Sequence, residues 1–194
     1  NTPAWRHWLL PIVIIAVAAA LATGGEATRE WLRFERSAIA DGEIWRLVSG
    51  HLVHLGWPHL ALNGAGLVLV WYLVGSTFTL RDWVVVVVVS LTVIALGFWL
   101  LSPEITWYVG LSGLLHGMLA AGLVASLRQP HVESVALAVV LVAKLAFEQV
   151  FGPLPGSEAS SGGAVIVDSH FYGAVGGICG AAVALIRVRA GAAI

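Results

Sequence analysis

Charge is what this chain has least of. Asp, Glu, Lys and Arg make up 11% of its 194 residues, against 59% hydrophobic residues and a mean hydropathy of +0.90. So little polar surface cannot cover a globule in water, which excludes a water-soluble fold and leaves an integral membrane protein. Arginine and lysine form no patch and the formal net charge is −1, so a nucleic-acid partner is excluded as well. The one cysteine, Cys179, cannot close an internal disulfide, and cysteine usage therefore says nothing about redox compartment. His51, His54 and His59 match no metalloprotease spacing and have no glutamate beside them placed as a base, so no metal and no cofactor is implied.

What the chain has in abundance is long apolar runs. A helix needs roughly 17–25 apolar residues to cross about 30 Å of hydrocarbon. Six segments come close to that length, at residues 8–23, 57–74, 83–101, 112–127, 135–151 and 169–186. Lipid cannot satisfy backbone groups, so all six are expected as helices, the valine run at 84–89 included. The first is longer than the roughly 7–15 residues of a signal-peptide core and reads as a span. Arg6, Arg81, Arg128, Arg187 and Arg189 then share one side, which predicts that both termini are cytoplasmic. Tryptophans 8, 57, 71, 83, 99 and 107 fall near predicted span ends, where indole favours the interface. Residues 1–194 read as a single membrane domain.

Between the first two spans lies a long loop, residues 24–56. Its stretch EATREWLRFERSAI carries Trp31, Leu32 and Phe34 among charges and predicts a helix lying on the membrane surface. His51 and His54 read as polar residues of an interfacial turn. Pro58 suits the first turn of the next helix, where His59 and Asn63, four residues apart, share a face. Polar groups inside hydrocarbon are expensive and usually have a task.

Ser112 stands between glycines in Gly110-Leu111-Ser112-Gly113, where the fourth span begins. From Arg128 at the opposite boundary, about 24 Å of helix puts it some 6 Å beneath the outer surface of a core about 30 Å thick. A hydroxyl is a poor nucleophile unless a base takes its proton and fixed donors receive the charge. Gly113 with Gly117, and Gly173 with Gly177, are small-residue steps that let two helix backbones meet. If those faces touch, Ser112 and His170 come to equivalent depth and a hydrogen bond between them follows. Lys144 and Glu148, spaced i,i+4, are expected to face the interior and pair as a structural tether. The segment at 152–167, rich in Gly, Ser and Pro, reads as a cap over the cavity or as a linker.

Trp45-Arg46, His59-x-x-x-Asn63, Gly110-x-Ser112-Gly113 and His170-x-x-Gly173-x-x-x-Gly177 occur in this order, with their polar groups on one membrane side. In these motifs the chain resembles the rhomboid intramembrane serine proteases. The resemblance implies an all-α bundle of six transmembrane helices with a long interfacial first loop. It implies a Ser–His dyad with no third carboxylate, in which Ser112 is the nucleophile and His170 the general base and acid. The oxyanion hole would be the Ser112 backbone N–H with the side chains of Asn63 and His59, beside Gly110 and Leu111. Asp168, two residues before His170 on a helix, should point away from it.

His116 stands where many rhomboids have a tyrosine packed on the catalytic histidine. With GLSGLLHG and GHLVHLGWPH it makes the chain most similar to the rhombosortase branch. That resemblance implies single-pass membrane substrates carrying a C-terminal Gly-Gly motif, a transmembrane helix and a basic tail. It further implies transfer of the new C-terminus to an amine-bearing, lipid-derived acceptor, in a bacterial inner membrane with the site open to the periplasm. Two alternatives stay open: a general rhomboid protease, and a non-enzymatic rhomboid-like chaperone or small transporter. Binding alone needs neither Ser112 nor His170, and the polar groups cluster toward one face and not at mid-membrane as a transporter's would.

Overall fold

The computed structural model describes residues 7–191, so Arg6 of the orientation argument lies outside the described residues. All six apolar segments are helices: α1 Leu9–Ala22, α5 Trp57–Val74, α6 Leu80–Leu100, α7 Ser112–Ser126, α8 Val132–Phe151 and α10 Val167–Gly191. The first loop contributes α2 Gly25–Leu32, strand β1 Phe34–Glu35, α3 Arg36–Ala40 and α4 Arg46–Ser49, and the later loops contribute strand β2 Trp107–Tyr108 and α9 Ser157–Ser161. The fold is all-α apart from the two-residue strands.

Among the described residues four helices are long and apolar enough to cross a membrane: α5 with its 3-10 extension, α6, α8 and α10. The α1 helix reaches that standard only together with α2, from which it is bent by 117°, and α7 is a shorter apolar helix. Helix length therefore supports four crossings, or five with the bent pair, where six were predicted. The short one is the central one: nine of the 15 residues of α7 are buried. Enclosed by other helices, α7 has no need to match the bilayer, and its length is only roughly 22 Å.

Glycine sets the packing of α10. A Cβ on Gly173 or Gly177 would overlap the carbonyl oxygens of Gly113 and Gly117, so α7 and α10 touch backbone to backbone. A second ridge goes unnoticed in the sequence: Cβ atoms on Gly176 and Gly180 would lie 2.6 Å from Ser90 Cα and 2.8 Å from Val86 Cα, both on α6. The last helix is thus wedged between α6 and α7.

Two sequence expectations change here. Trp71 and Trp83, placed at the interface by their position near span ends, are 2% and 1% exposed and sit 5.3 Å apart in the main core. The Trp83 indole donates to the Gly75 carbonyl at 2.9 Å, which gives its N–H a partner away from water. The predicted surface helix over EATREWLRFERSAI is two helices broken at β1, which pairs antiparallel with β2, Phe34 opposite Tyr108. Burial explains the break, because the Phe34 ring packs 5.3 Å from that of Phe98 in a second apolar cluster that also holds Tyr108. Trp31 stays outside, 62% exposed.

Candidate active site

Ser112 is the first residue of α7, and His170 lies in the first turn of α10. With these helices held together by glycine, Ser112 Oγ is 3.0 Å from His170 Nε2. The other nitrogen, His170 Nδ1, is 2.9 Å from Glu148 Oε2, and the same oxygen accepts from Lys144 Nζ at 2.7 Å. A carboxylate paired with an ammonium only accepts, so the His170 proton belongs on Nδ1 and the Nε2 lone pair faces the serine hydroxyl.

Lys144 and Glu148 pair as expected, in the last two turns of α8. One expectation is corrected: a carboxylate, that of Glu148, does contact the histidine. Glu148 is 22 residues from His170 in sequence, and no local motif announces a contact set by how α8 docks. Asp168 is occupied elsewhere, accepting from the Ser102 hydroxyl at 2.6 Å.

His116 stacks on His170 with ring centroids 4.1 Å apart and planes at 19°. Its Nδ1 is 2.8 Å from the Ser112 carbonyl oxygen, which can only accept, so that nitrogen carries the proton. Its Nε2 accepts from Lys144 Nζ at 2.9 Å.

On the facing helix α5, the Leu55 N–H donates to His59 Nδ1 at 3.4 Å, which leaves His59 Nε2 as an N–H donor. The Asn63 amide nitrogen is 3.2 Å from the His59 carbonyl oxygen. Between them passes Gly110, at φ +116°, where a Cβ would lie 3.0 Å from His59 Nε2 and 3.8 Å from Asn63 Nδ2. Only glycine adopts that conformation readily and leaves the space in front of both donors open. The loop is pinned on two sides: the Tyr108 hydroxyl donates to the Gly110 carbonyl at 2.5 Å, and the Gly110 N–H donates to Gly50 at 3.0 Å. No side chain caps α7, which leaves its first-turn N–H groups without a side-chain cap partner.

These groups line one cavity of about 560 Å³, which includes Ser112, His170, His59, Asn63, His116, Lys144 and Glu148. Leu62, Leu115 and Trp107 form apolar wall, and Leu154, Ser157 and Ser161 of the 152–167 segment lie across it. That segment turns at Gly152, Gly156 and Gly162, all with positive φ.

Several predicted site residues lie outside the cavity. Leu111, the residue before α7, packs in the main core, 2% exposed. Trp45 and Arg46 hold the first loop: Arg46 Nη1 donates to the carbonyls of Glu30 at 2.8 Å and Arg33 at 3.0 Å, and Trp45 packs near Trp31. Gly113, Gly173 and Gly177 act through backbone contact alone. His51 and His54 are not wet turn residues but buried ones, 3% and 7% exposed, and burial holds both at about 4, well below the usual imidazole range. The His54 ring stands edge-on to His59 at 5.0 Å and backs it.

His116, Glu148 and His170 each offer a donor atom within 4.8 Å of the others, a spacing that could hold a metal ion. Lys144 Nζ already bridges two of the three, so an ammonium fills the place a cation would take.

The family model described as Rhomboid domain matches residues 41–187 of this chain. No curated protein matches the sequence.

Proposed function

The chain belongs to the rhomboid family, whose members are generally intramembrane serine proteases, and we propose that Ser112 is its nucleophile and His170 its general base and acid. The observation that carries the assignment is the 3.0 Å contact between Ser112 Oγ and His170 Nε2 in a cavity shared with His59 and Asn63.

Ser112 Oγ attacks the scissile carbonyl carbon as its proton passes to His170 Nε2. The oxygen that becomes negative meets the Ser112 backbone N–H, the His59 Nε2–H and the Asn63 amide. Collapse breaks the C–N bond, the leaving amine takes the proton from His170, and an ester on Ser112 remains. Water attacking that ester, with His170 again accepting the proton, gives a carboxylic acid. A primary amine attacking instead gives an amide.

For the substrate, we favour a single-pass membrane protein with Gly-Gly ahead of its transmembrane helix, on the strength of His116 and the GLSGLLHG and GHLVHLGWPH segments. An amine-bearing lipid is the acceptor on the same reading. We place α1 and α7 among six crossings of a bacterial inner membrane, with both termini cytoplasmic and the cavity open to the periplasm. Purified enzyme should cut a Gly-Gly reporter, and Ser112→Ala and His170→Ala should each abolish cleavage while the protein stays folded and inserted. Cleavage indifferent to replacing both glycines rejects the sorting assignment and leaves a general rhomboid protease, whereas cleavage by the serine variant rejects the mechanism.

A further inference from the structure

Lys144 is the only lysine in the sequence, and it sits beside the serine and histidine. Its Nζ donates to Glu148 Oε2 at 2.7 Å and to His116 Nε2 at 2.9 Å. His116 Nδ1–H donates to the Ser112 carbonyl at 2.8 Å, His170 Nδ1–H donates to Glu148 Oε2 at 2.9 Å, and Ser112 Oγ faces His170 Nε2 at 3.0 Å. The hydrogen bonds therefore close a ring that leaves Ser112 through its hydroxyl and returns through its carbonyl, with one proton arrangement satisfying every link.

We propose that Glu148 is the positioning carboxylate of His170, and that Lys144 and His116 hold it in that role, so that the site works as a serine–histidine–glutamate triad. The proposal rests on the assignment of Ser112 and His170 as the reacting pair. Three arguments carry it. Glu148 is 2% exposed and contacts the histidine nitrogen remote from the serine, where a carboxylate selects the productive tautomer. When the serine proton moves to Nε2, the new imidazolium charge lies against the Glu148 oxygen, which stabilises it without itself taking the proton. Before that step the lysine and glutamate charges cancel, which makes a carboxylate tolerable at this depth.

His116 adds a further argument. An imidazolium stacked 4.1 Å from His170 would oppose the charge forming there. Lys144 donates into the Nε2 lone pair that His116 would need to take up a proton, and the stacked ring stays neutral. His116 also keeps the His170 plane from turning away from Ser112.

The test measures labelling by a fluorophosphonate, reading its limiting rate and its half-saturating concentration separately. Glu148→Gln keeps an acceptor oxygen but loses the charge, and its limiting rate should fall about 10²–10⁴-fold with half-saturation unchanged. The Lys144→Met/Glu148→Gln double variant leaves no buried charge unpaired, and should melt close to the parent yet stay as slow. Recovery of the double variant to within threefold of the parent would show a structural ion pair and overturn the proposal, as would a Glu148→Gln variant of parental rate. Labelling that persists in Ser112→Ala would instead overturn the assignment of the reacting pair.

Discussion

In the proposed mechanism Asn63 acts through one amide N–H. Asn63→Ala should lower turnover about 10²–10³-fold with KM nearly unchanged if its amide meets the oxyanion, and a change confined to KM would make it cavity lining. Gly110 carries a stricter demand, because its φ of +116° and its closeness to His59 and Asn63 coincide. A Gly110→Ala variant should lose reporter cleavage even where the protein remains folded, and full cleavage would show that the space before the two donors is not used. Why Ser112, His170, His59 and Asn63 could be singled out from sequence is also a matter of single residues. Each is a polar group at the start of an apolar run, and such groups need a reason to be there. Glu148 has the same polarity but lies at the end of a run, with its i,i+4 lysine as a ready explanation. The salt bridge was legible, at 2.7 Å, and the histidines on its far side were not.

At the level of elements, the α7–α10 contact fixes the distance between Ser112 and His170. Replacing Gly177 by leucine would drive a side chain into the Gly117 carbonyl, and the helices would have to separate. The variant should lose several degrees of melting temperature and fluorophosphonate labelling together, while leucine at Gly163, where a Cβ meets the flexible end of Leu55 at 2.8 Å, should be tolerated far better. Equal effects at the two positions would deny the glycine ridge its part in alignment. The paired glycine steps were readable because their spacing of four is the repeat of a helix face. The Gly176 and Gly180 ridge has the same spacing and was missed, because a helix with two small-residue faces does not say which neighbour takes which. The break at Phe34 was hidden for a similar reason: a buried aromatic among charges reads as one side of an amphipathic helix until its partner Phe98 is known.

Across the whole molecule, polar groups collect at one end of the bundle, and this makes stability depend on pH through the turn that supports them. His51 and His54 have folded-state values of about 4 against an ordinary 6.5, so between those values the unfolded chain binds more protons. Stability is complete above about pH 6.5 and declines as pH falls toward 4, by at most roughly 3 kcal/mol for each histidine. Melting in detergent should therefore drop between pH 7 and pH 5, and the His51→Leu/His54→Leu variant should drop less; an equal drop in both proteins would assign the effect elsewhere. The membrane character followed from composition alone, since 59% hydrophobic residues leave no other solvent for the surface, and the helices followed from the length of the apolar runs. The number of crossings did not follow, because a central helix shielded by its neighbours is free to be short.

The central claim is that one hydroxyl among the chain's serines is activated, and covalent trapping reads this directly. Intact enzyme treated with a fluorophosphonate and digested for mass spectrometry should carry a single adduct, on Ser112, and the adduct should vanish in His170→Ala. An adduct on any other residue, or undiminished labelling after His170 is removed, would contradict the account.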